Sequence, residues 1–213
     1  MVGAGDCYQP ILLPTERDYV IAVDGGYDTL QRQGIKPDVI IGDLDSIQSL
    51  VTEKNVIKLK PEKDDTDMLY SVNYGAKLGY TAFYLYGGTG GTRISHTIAN
   101  LQLLAHNPSL HCFLFDRNEV TFLLADGQVS FREKCTGYLS VMSVSDESTG
   151  VWEKGLKYEL ENATLTNNYP LGVSNEFTGE ESWISVEKGM LLISIEKENL
   201  SNLKFTKKTG NDS

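Results

Sequence analysis

Residues 18–46 read DYVIAVDGGYDTLQRQGIKPDVIIGDLDS, and this stretch decides the fold. Residues 19–23 form an apolar run of strand length that ends on Asp24-Gly25-Gly26. Residues 27–33 suit a short helix closed by Gly34. Pro37 introduces a second apolar run, residues 38–41, which ends on Gly42-Asp43-Leu44-Asp45-Ser46. Buried strand, helix, buried strand is the unit from which parallel sheets are built.

The same alternation continues to about residue 104. Residues 55–60 (NVIKLK) read as a third strand. Asp65 or Thr66 then caps a helix with Met68, Leu69, Val72 and Ala76 at helical spacing, stopped by Gly79. Residues 80–86 are strand-like. Residues 94–106 carry Ile94, Ile98, Leu101 and Ala105 on one helical face, and residues 110–115 make a further strand. After Glu119 the texture changes. Residues 119–125 and 128–133 flank Asp126-Gly127, a hairpin dipeptide. Short alternating runs follow at 138–144, 155–160, 163–166, 182–187 and 190–196, with Gly, Asn and Pro between them. The expected fold class is therefore α/β: a mostly parallel, Rossmann-like sheet with flanking helices in residues 1–125, followed by an antiparallel β-sandwich in residues 126–213. The polar tail from Asn202 is expected to fray.

Composition narrows the function. The chain has 213 residues, 40% of them apolar and 23% charged, as in ordinary globular proteins. With 19 Lys and Arg against 29 Asp and Glu, the net charge is −10. That argues against nucleic acid, which needs a basic footprint, and against an anionic membrane surface. No apolar run approaches the roughly 18 residues of a membrane span. The first residues, Met1-Val2-Gly3-Ala4-Gly5-Asp6, have neither the basic flank nor the apolar core of a signal peptide. Three cysteines, Cys7, Cys112 and Cys135, are widely spaced and form no CxxC pair. A reducing cytoplasm fits this usage.

Placement of acidic residues points to a metal. Between Asp24 and Asp67 lie ten acidic residues, eight of them Asp. Asp24 follows the first strand, Asp43 and Asp45 the second, and Asp64, Asp65 and Asp67 the third. Carboxyl ends of parallel strands converge on one edge, where ligand crevices lie. Any single aspartate there is explained as a cap or turn residue. Three clusters at three consecutive strand ends repel one another unless a cation sits among them, and Mg²⁺ prefers such oxygen ligands.

Gly87-Gly88-Thr89-Gly90-Gly91 lies between a strand and a helix, so its backbone amides suit a phosphate. No Gly-Lys-Ser/Thr follows, so it is not a P-loop. Arg93 and His96 stand just beyond it, and Arg holds phosphate in bidentate fashion. A bound cation, a glycine-rich anion loop and an arginine on one sheet edge suggest transfer of a phosphorylated group from a nucleotide. The acceptor cannot be named from these parts.

Several segments resemble the thiamine pyrophosphokinase family. Asp24-Gly25-Gly26 is similar to its first acidic-glycine turn, and residues 37–46 (PDVIIGDLDS) to its most specific stretch. Lys63-Asp64-Asp65-Thr66-Asp67 resembles a D-x-T-D element. Residues 87–91 with Arg93, His96 and Ala99-Asn100-Leu101 resemble a G-G-x-G-G…R-x-D-H-T-x-A-N-L run. In the second half, Gly155-Leu156-Lys157-Tyr158, Leu160-Glu161-Asn162 and Gly172-Val173-Ser174-Asn175-Glu176 resemble thiamine-side motifs. One departure is Ser95, where the family pattern has Asp before His96.

The resemblance implies an α/β catalytic part, a β-sandwich and a homodimer with active sites at the subunit interface. It implies transfer of the terminal diphosphate of ATP to the hydroxyl of thiamine, with AMP released. Asp43, Asp45, Asp64 and Asp67 match the catalytic acidic positions around Mg²⁺, with Asp24 close by. Gly25, Gly26, Thr66, Gly87, Gly88, Gly90, Gly91, Arg93 and His96 fall on the ATP side, and Ser174 and Asn175 on the thiamine pyrimidine. Asp67 or Asp45 is left to accept the alcohol proton, and Trp183 or Trp152 to stack on thiamine. A glycosyltransferase with a metal on Asp43-Leu44-Asp45 leaves the second-half motifs unexplained. A sensor with a degenerate centre has only Ser95 in its favour.

Overall fold

The computed structural model describes residues 1–7, 11–60 and 62–207. The chain divides into two compact units, Met1–Arg117 and Asn118–Ser213.

In the first unit, β1 (Ile21–Val23), β2 (Val39–Gly42) and β3 (Val56–Lys58) pair in parallel in that order. β4 (Ala82–Leu85) and β5 (His111–Phe115) form a second parallel pair. One residue joins the two sets: Val2 bridges Ala22 on one side and Tyr86 on the other, parallel to both. Its amide donates to Ile21 O at 3.0 Å, and Val23 N donates to its carbonyl at 2.8 Å. All of β1 and β2 is buried, as strands covered on both faces must be.

Three helices accompany this sheet: α1 (Gly26–Arg32), α2 (Asp67–Lys77) and α3 (Ile94–His106). Thr66, not Asp65, caps α2; its Oγ1 accepts from Leu69 N at 3.2 Å. The apolar face expected for α3 is corrected. Asn100, Leu103 and Leu104 are the buried residues, whereas Ile94 is 73% and Ile98 51% exposed. Asn100 turns inward because its amide donates to Gly88 O at 2.7 Å, a polar tether that apolar spacing does not reveal.

The second unit is antiparallel. It comprises β6 (Glu119–Phe131), β7 (Tyr138–Ser143), β8 (Glu147–Lys154), β9 (Leu160–Thr166), β10 (Gly172–Glu176), β11 (Ser182–Glu196), a 3-10 turn (Lys197–Asn202) and β12 (Leu203–Lys207). β11 pairs with β6 from Ser182 to Val186 and again from Met190 to Glu196. On its other edge, Trp183, Ile184 and Ser185 meet β8, while residues 191–195 meet β7. Two sheets therefore share β6 and β11, one adding β8, β9 and β12, the other β7 and β10. Their core includes Phe122, Val129, Phe131, Val141, Ile184 and Ile193.

Three expectations are overturned here. No hairpin forms at Asp126-Gly127, because β6 continues through both residues. Asp126 has φ 41° and the facing Gly189 φ 109°, and the register slips between Val186 and Met190. The dipeptide's tolerance of positive φ serves a bend instead of a reversal. Residues 155–160 are mostly a turn, and the strand lies earlier, in β8. The polar tail is ordered as β12 on β6 as far as Lys207, with Phe205 packing on the sheet while Lys204 is exposed; Phe205 meets Phe122 edge-on at 5.5 Å. Residues 208–213 lie outside the described residues.

Candidate active site

Both β1 and β2, the start of α2, the loop after β4 and the start of α3 open onto one cleft of about 360 Å³. Asp24, Asp43, Asp45, Thr66, Asp67, Gly87, Gly88, Gly90, Gly91, Arg93 and His96 all line it. Asp64 does not, and Asp65 does. Gly25 and Gly26 also stand back from the cleft, as they begin α1. A Cβ on Gly26 would lie 1.8 Å from Val2 O, so close packing accounts for that glycine. A larger hollow of about 440 Å³ is lined by tyrosines and aliphatic residues and has Asp18 as its one acidic residue. The chemistry-bearing side chains are in the smaller, polar cleft.

Sequence reasoning missed Gly3, Ala4 and Gly5, which line the cleft from the side. Gly3 N donates to Tyr86 O, Gly5 N to Gly87 O and Asp6 N to Thr89 O, at 2.7, 2.8 and 3.0 Å. Gly-Ala-Gly after an apolar residue was the available signal. A strand one residue long gave no run to draw attention to it. Lys63 and Asn100 also escaped notice as lining residues.

The backbone is bent where the acids emerge. Asp24 has φ 46° and Leu44 φ 70°, left-handed values that non-glycine residues adopt rarely and mostly where function demands it. Asp24 Oδ1 accepts from Leu44 N at 3.3 Å, linking the two strand ends. A Cβ on Gly42 would strike that oxygen at 1.6 Å, so no other residue fits there.

Electrostatics set the acids in two pairs. Burial pushes the Asp24 carboxyl up to about 7, helped by the charges of Asp67 and Asp43. Asp45 is also raised, by its hydrogen bond with Asp43 and by that group's charge. Asp43 is lowered, chiefly because Asp45 N donates to its Oδ1 at 3.1 Å. Asp67 Oδ1 is buried without a hydrogen bond, in ion-pair reach of Lys63 Nζ at 2.9 Å. Among the described residues, no three His, Cys, Asp or Glu side chains close into a ready-made metal site. Pairs of crowded carboxylates still suit Mg²⁺, which usually binds one or two carboxylates and completes its shell with water and substrate phosphates.

The opposite wall suits an anion. Arg93 precedes α3 without a side-chain cap, so the first amides of the helix remain available. Asn100 Nδ2 holds Gly88 O, and Thr89 Oγ1 donates to Asp116 Oδ1 at 2.9 Å, which together fix the glycine loop. Asp6 Oδ2 accepts from Gly91 N at 3.0 Å.

Ser174 and Asn175 lie in the second unit, on β10. Ser174 is exposed, with φ 62°. Asn175 is 5% exposed, and its amide is fully used. Nδ2 donates to Glu153 Oε2 at 2.8 Å and to Tyr158 O at 2.7 Å, while Oδ1 accepts from Tyr158 N at 3.0 Å and Glu176 N at 2.8 Å. Asn175 thereby braces the turn at Tyr158 against β10. Trp152 and Trp183 are half-buried.

Comparisons with known proteins agree across both units. Residues 12–114 match the family described as thiamin pyrophosphokinase, catalytic domain, and residues 128–191 the thiamin pyrophosphokinase vitamin B1 binding domain. The thiamine pyrophosphokinase of Bacillus subtilis is 28% identical over 183 residues, 81% of this chain and 85% of that protein. Thiamin pyrophosphokinase 1 of Caenorhabditis elegans is 28% identical over 197 residues, 85% and 80% of the two chains. The crystal structure of the Geobacillus thermodenitrificans thiamin pyrophosphokinase superposes with a TM-score of 0.79 at 26% identity, covering 92% of this chain and 95% of that one. A cleft of paired carboxylates facing a glycine loop, both family domains and these relatives lead to one assignment: the chain belongs to the thiamine pyrophosphokinase family, and is an enzyme of that kind.

Proposed function

We propose that this chain transfers the diphosphate of ATP to the hydroxyl of thiamine, giving thiamine diphosphate and AMP. The observation that carries this reading is the cleft itself, in which two carboxylate pairs face the glycine loop and Arg93. Asp43, Asp45 and Asp67, with Asp24 beside them, would hold Mg²⁺; Asp65 lines the cleft where Asp64 was expected. Bound there, Mg²⁺ neutralises phosphate charge.

The rest follows from the chain's own groups. Backbone amides of residues 87–91 and the start of α3 receive phosphate oxygens, and Arg93 adds a fixed positive charge. The thiamine oxygen attacks the β-phosphorus. The bond from that phosphorus to the AMP oxygen breaks, and AMP leaves with the electron pair. The alcohol proton passes to a carboxylate. Asp45 or Asp67, whichever the metal does not saturate, is the acceptor. Such transfers depend on positioning and charge neutralisation more than on covalent chemistry.

Thiamine carries a fixed positive charge, which suits a protein of net charge −10. We assign Mg-ATP to residues 1–125 and thiamine to residues 126–213, in a cytoplasmic homodimer whose sites are completed at the subunit interface. Exposed apolar residues support the dimer: Tyr138, Leu171 and Val173 at β7 and β10, and Ile94 and Ile98 on α3. AMP release from ATP and Mg²⁺, with and without thiamine, tests the function. Thiamine-dependent AMP is expected; thiamine binding with no AMP would replace the enzyme reading with that of a sensor.

A further inference from the structure

Glu153 is the most deeply buried carboxylate among the described residues, at 1% exposure, one residue from the end of β8. Its neighbours across the sheet are Ile184 on β11 and Leu160 on β9. Oε2 accepts from Asn175, and Oε1 is buried with no partner at all. A buried carboxyl that makes one hydrogen bond weakens a fold that an apolar residue would strengthen. Among the described residues no ion pair reaches it, so stability does not account for it.

Its one partner does suggest a task. Both backbone amides that reach Asn175 go to Oδ1, which fixes which way the amide group faces. The NH₂ must then find two acceptors, and it has only Tyr158 O and Glu153 Oε2. Through Asn175 the turn at residues 155–158 is stitched to β10. Lys157 N donating to Glu176 O at 3.0 Å and the bridge between Leu156 and Phe177 continue the seam. The seam joins the exposed Tyr158 and Lys157 to the strand that carries Ser174.

We infer that Glu153 is a positioning residue for the thiamine subsite: its buried oxygen orients Asn175, and Asn175 fixes the turn bearing Tyr158 against the strand bearing Ser174. This rests on the reading that residues 172–176 receive thiamine. Glu153 touches no substrate. Its rise to about 7 by burial fits the role, since a group that is neutral part of the time sits beside an amide donor without a counter-charge.

Two variants separate positioning from general support. Glu153→Gln keeps an oxygen for Asn175, and Glu153→Leu removes it while filling the space. Both are measured as full-length protein for thiamine and ATP Michaelis constants and turnover. Glu153→Leu is expected to raise the thiamine constant about ten-fold and leave the ATP constant within two-fold; Glu153→Gln is expected to stay near the starting protein. An unchanged thiamine constant in folded Glu153→Leu, or equal damage in both variants, overturns the inference. If Glu153→Leu fails to fold, Glu153→Met takes its place. It removes the acceptor of Asn175 Nδ2 with a more adaptable apolar side chain, and carries the same expectation and the same refutation. If the starting protein itself makes no thiamine-dependent AMP, the functional reading has failed; if it does and these variants leave thiamine alone, only the role of Glu153 has failed.

Discussion

Asp24, just past β1, and Asp67, in the first turn of α2, line the same cleft closely enough that the charge of Asp67 helps raise the Asp24 carboxyl. Crowded carboxylates of this kind are relieved by a proton on one of them or by a cation close to both.

Asp24→Asn should therefore stabilise the metal-free protein at neutral pH while lowering activity. The folded Asp24 carboxyl lies near 7, above its ordinary value of 3.8. Its contribution to stability is complete below about 4 and is lost as pH rises through 7. Thermal unfolding without metal, scanned from pH 4 to 8, should show the variant's advantage growing with pH. A variant that melts earlier than the starting protein at pH 7.5 contradicts the crowding.

Asp43→Asn and Asp45→Asn should each abolish thiamine-dependent AMP release with little change in melting temperature. Both follow β2 in an open loop, and neither side chain is in the core. Near-normal turnover of both at low Mg²⁺ would remove them from the metal site.

Asn175→Ala should do two things together. It deletes four hydrogen bonds and strands Glu153, Tyr158 N and Tyr158 O, so a stability loss of about 1–3 kcal/mol is expected. The thiamine constant should rise as the turn loosens, with the ATP constant steady. Denaturant melts and the two Michaelis constants report the two effects; a change in ATP binding alone speaks against the seam.

Sequence made much of this site legible because its residues announce themselves by type. Asp43, Asp45 and Gly87 to Gly91 occur at strand ends, where carboxylates and glycines have few other reasons to gather. The buried runs of β1 and β2 were equally plain. What stayed hidden depends on partners far along the chain. Val2 becomes a strand only because Ala22 and Tyr86 flank it. Glu153 looks like any surface acid until Asn175 is brought to it. Asp126-Gly127 declared a positive φ but not whether the chain would reverse or bend, since Gly189 across the sheet decides that.

Glu153→Gln should be more stable than the starting protein above pH 7, by about 3 kcal/mol at most, and equal to it below about pH 4.5. The carboxyl moves from 4.5 to about 7 on folding because burial disfavours its charge, so the folded state loses ground as pH rises between those values. Urea midpoints at pH 4.5 and 8 give the comparison. Parallel midpoints at both pH values would show that Glu153 is not raised.

In solution the protein should sediment at twice 23.6 kDa at micromolar concentration. β10 pairs only with β7 among the described strands and exposes Leu171 nearby and Val173, a surface that a second copy can cover. Replacing Val173 with Lys should weaken self-association. A mass near 23.6 kDa for the unmodified chain refutes the dimer.

The sharing of β6 and β11 between two sheets has a consequence for biosynthesis. Their register joins Glu119 to Glu196 and Phe131 to Ser182, pairs far apart along the chain. Closing such long loops costs entropy before any contact repays it, and high contact order slows folding. As the polypeptide emerges from the ribosome, β8 can zip to β9 and β7 to β10, but each pair has nothing to dock on until Ser182–Glu196 appears. Arrival of that one strand then joins both sheets at once, with only β12 left to add, so this half of the nascent chain should gain most of its protease resistance in a single late step.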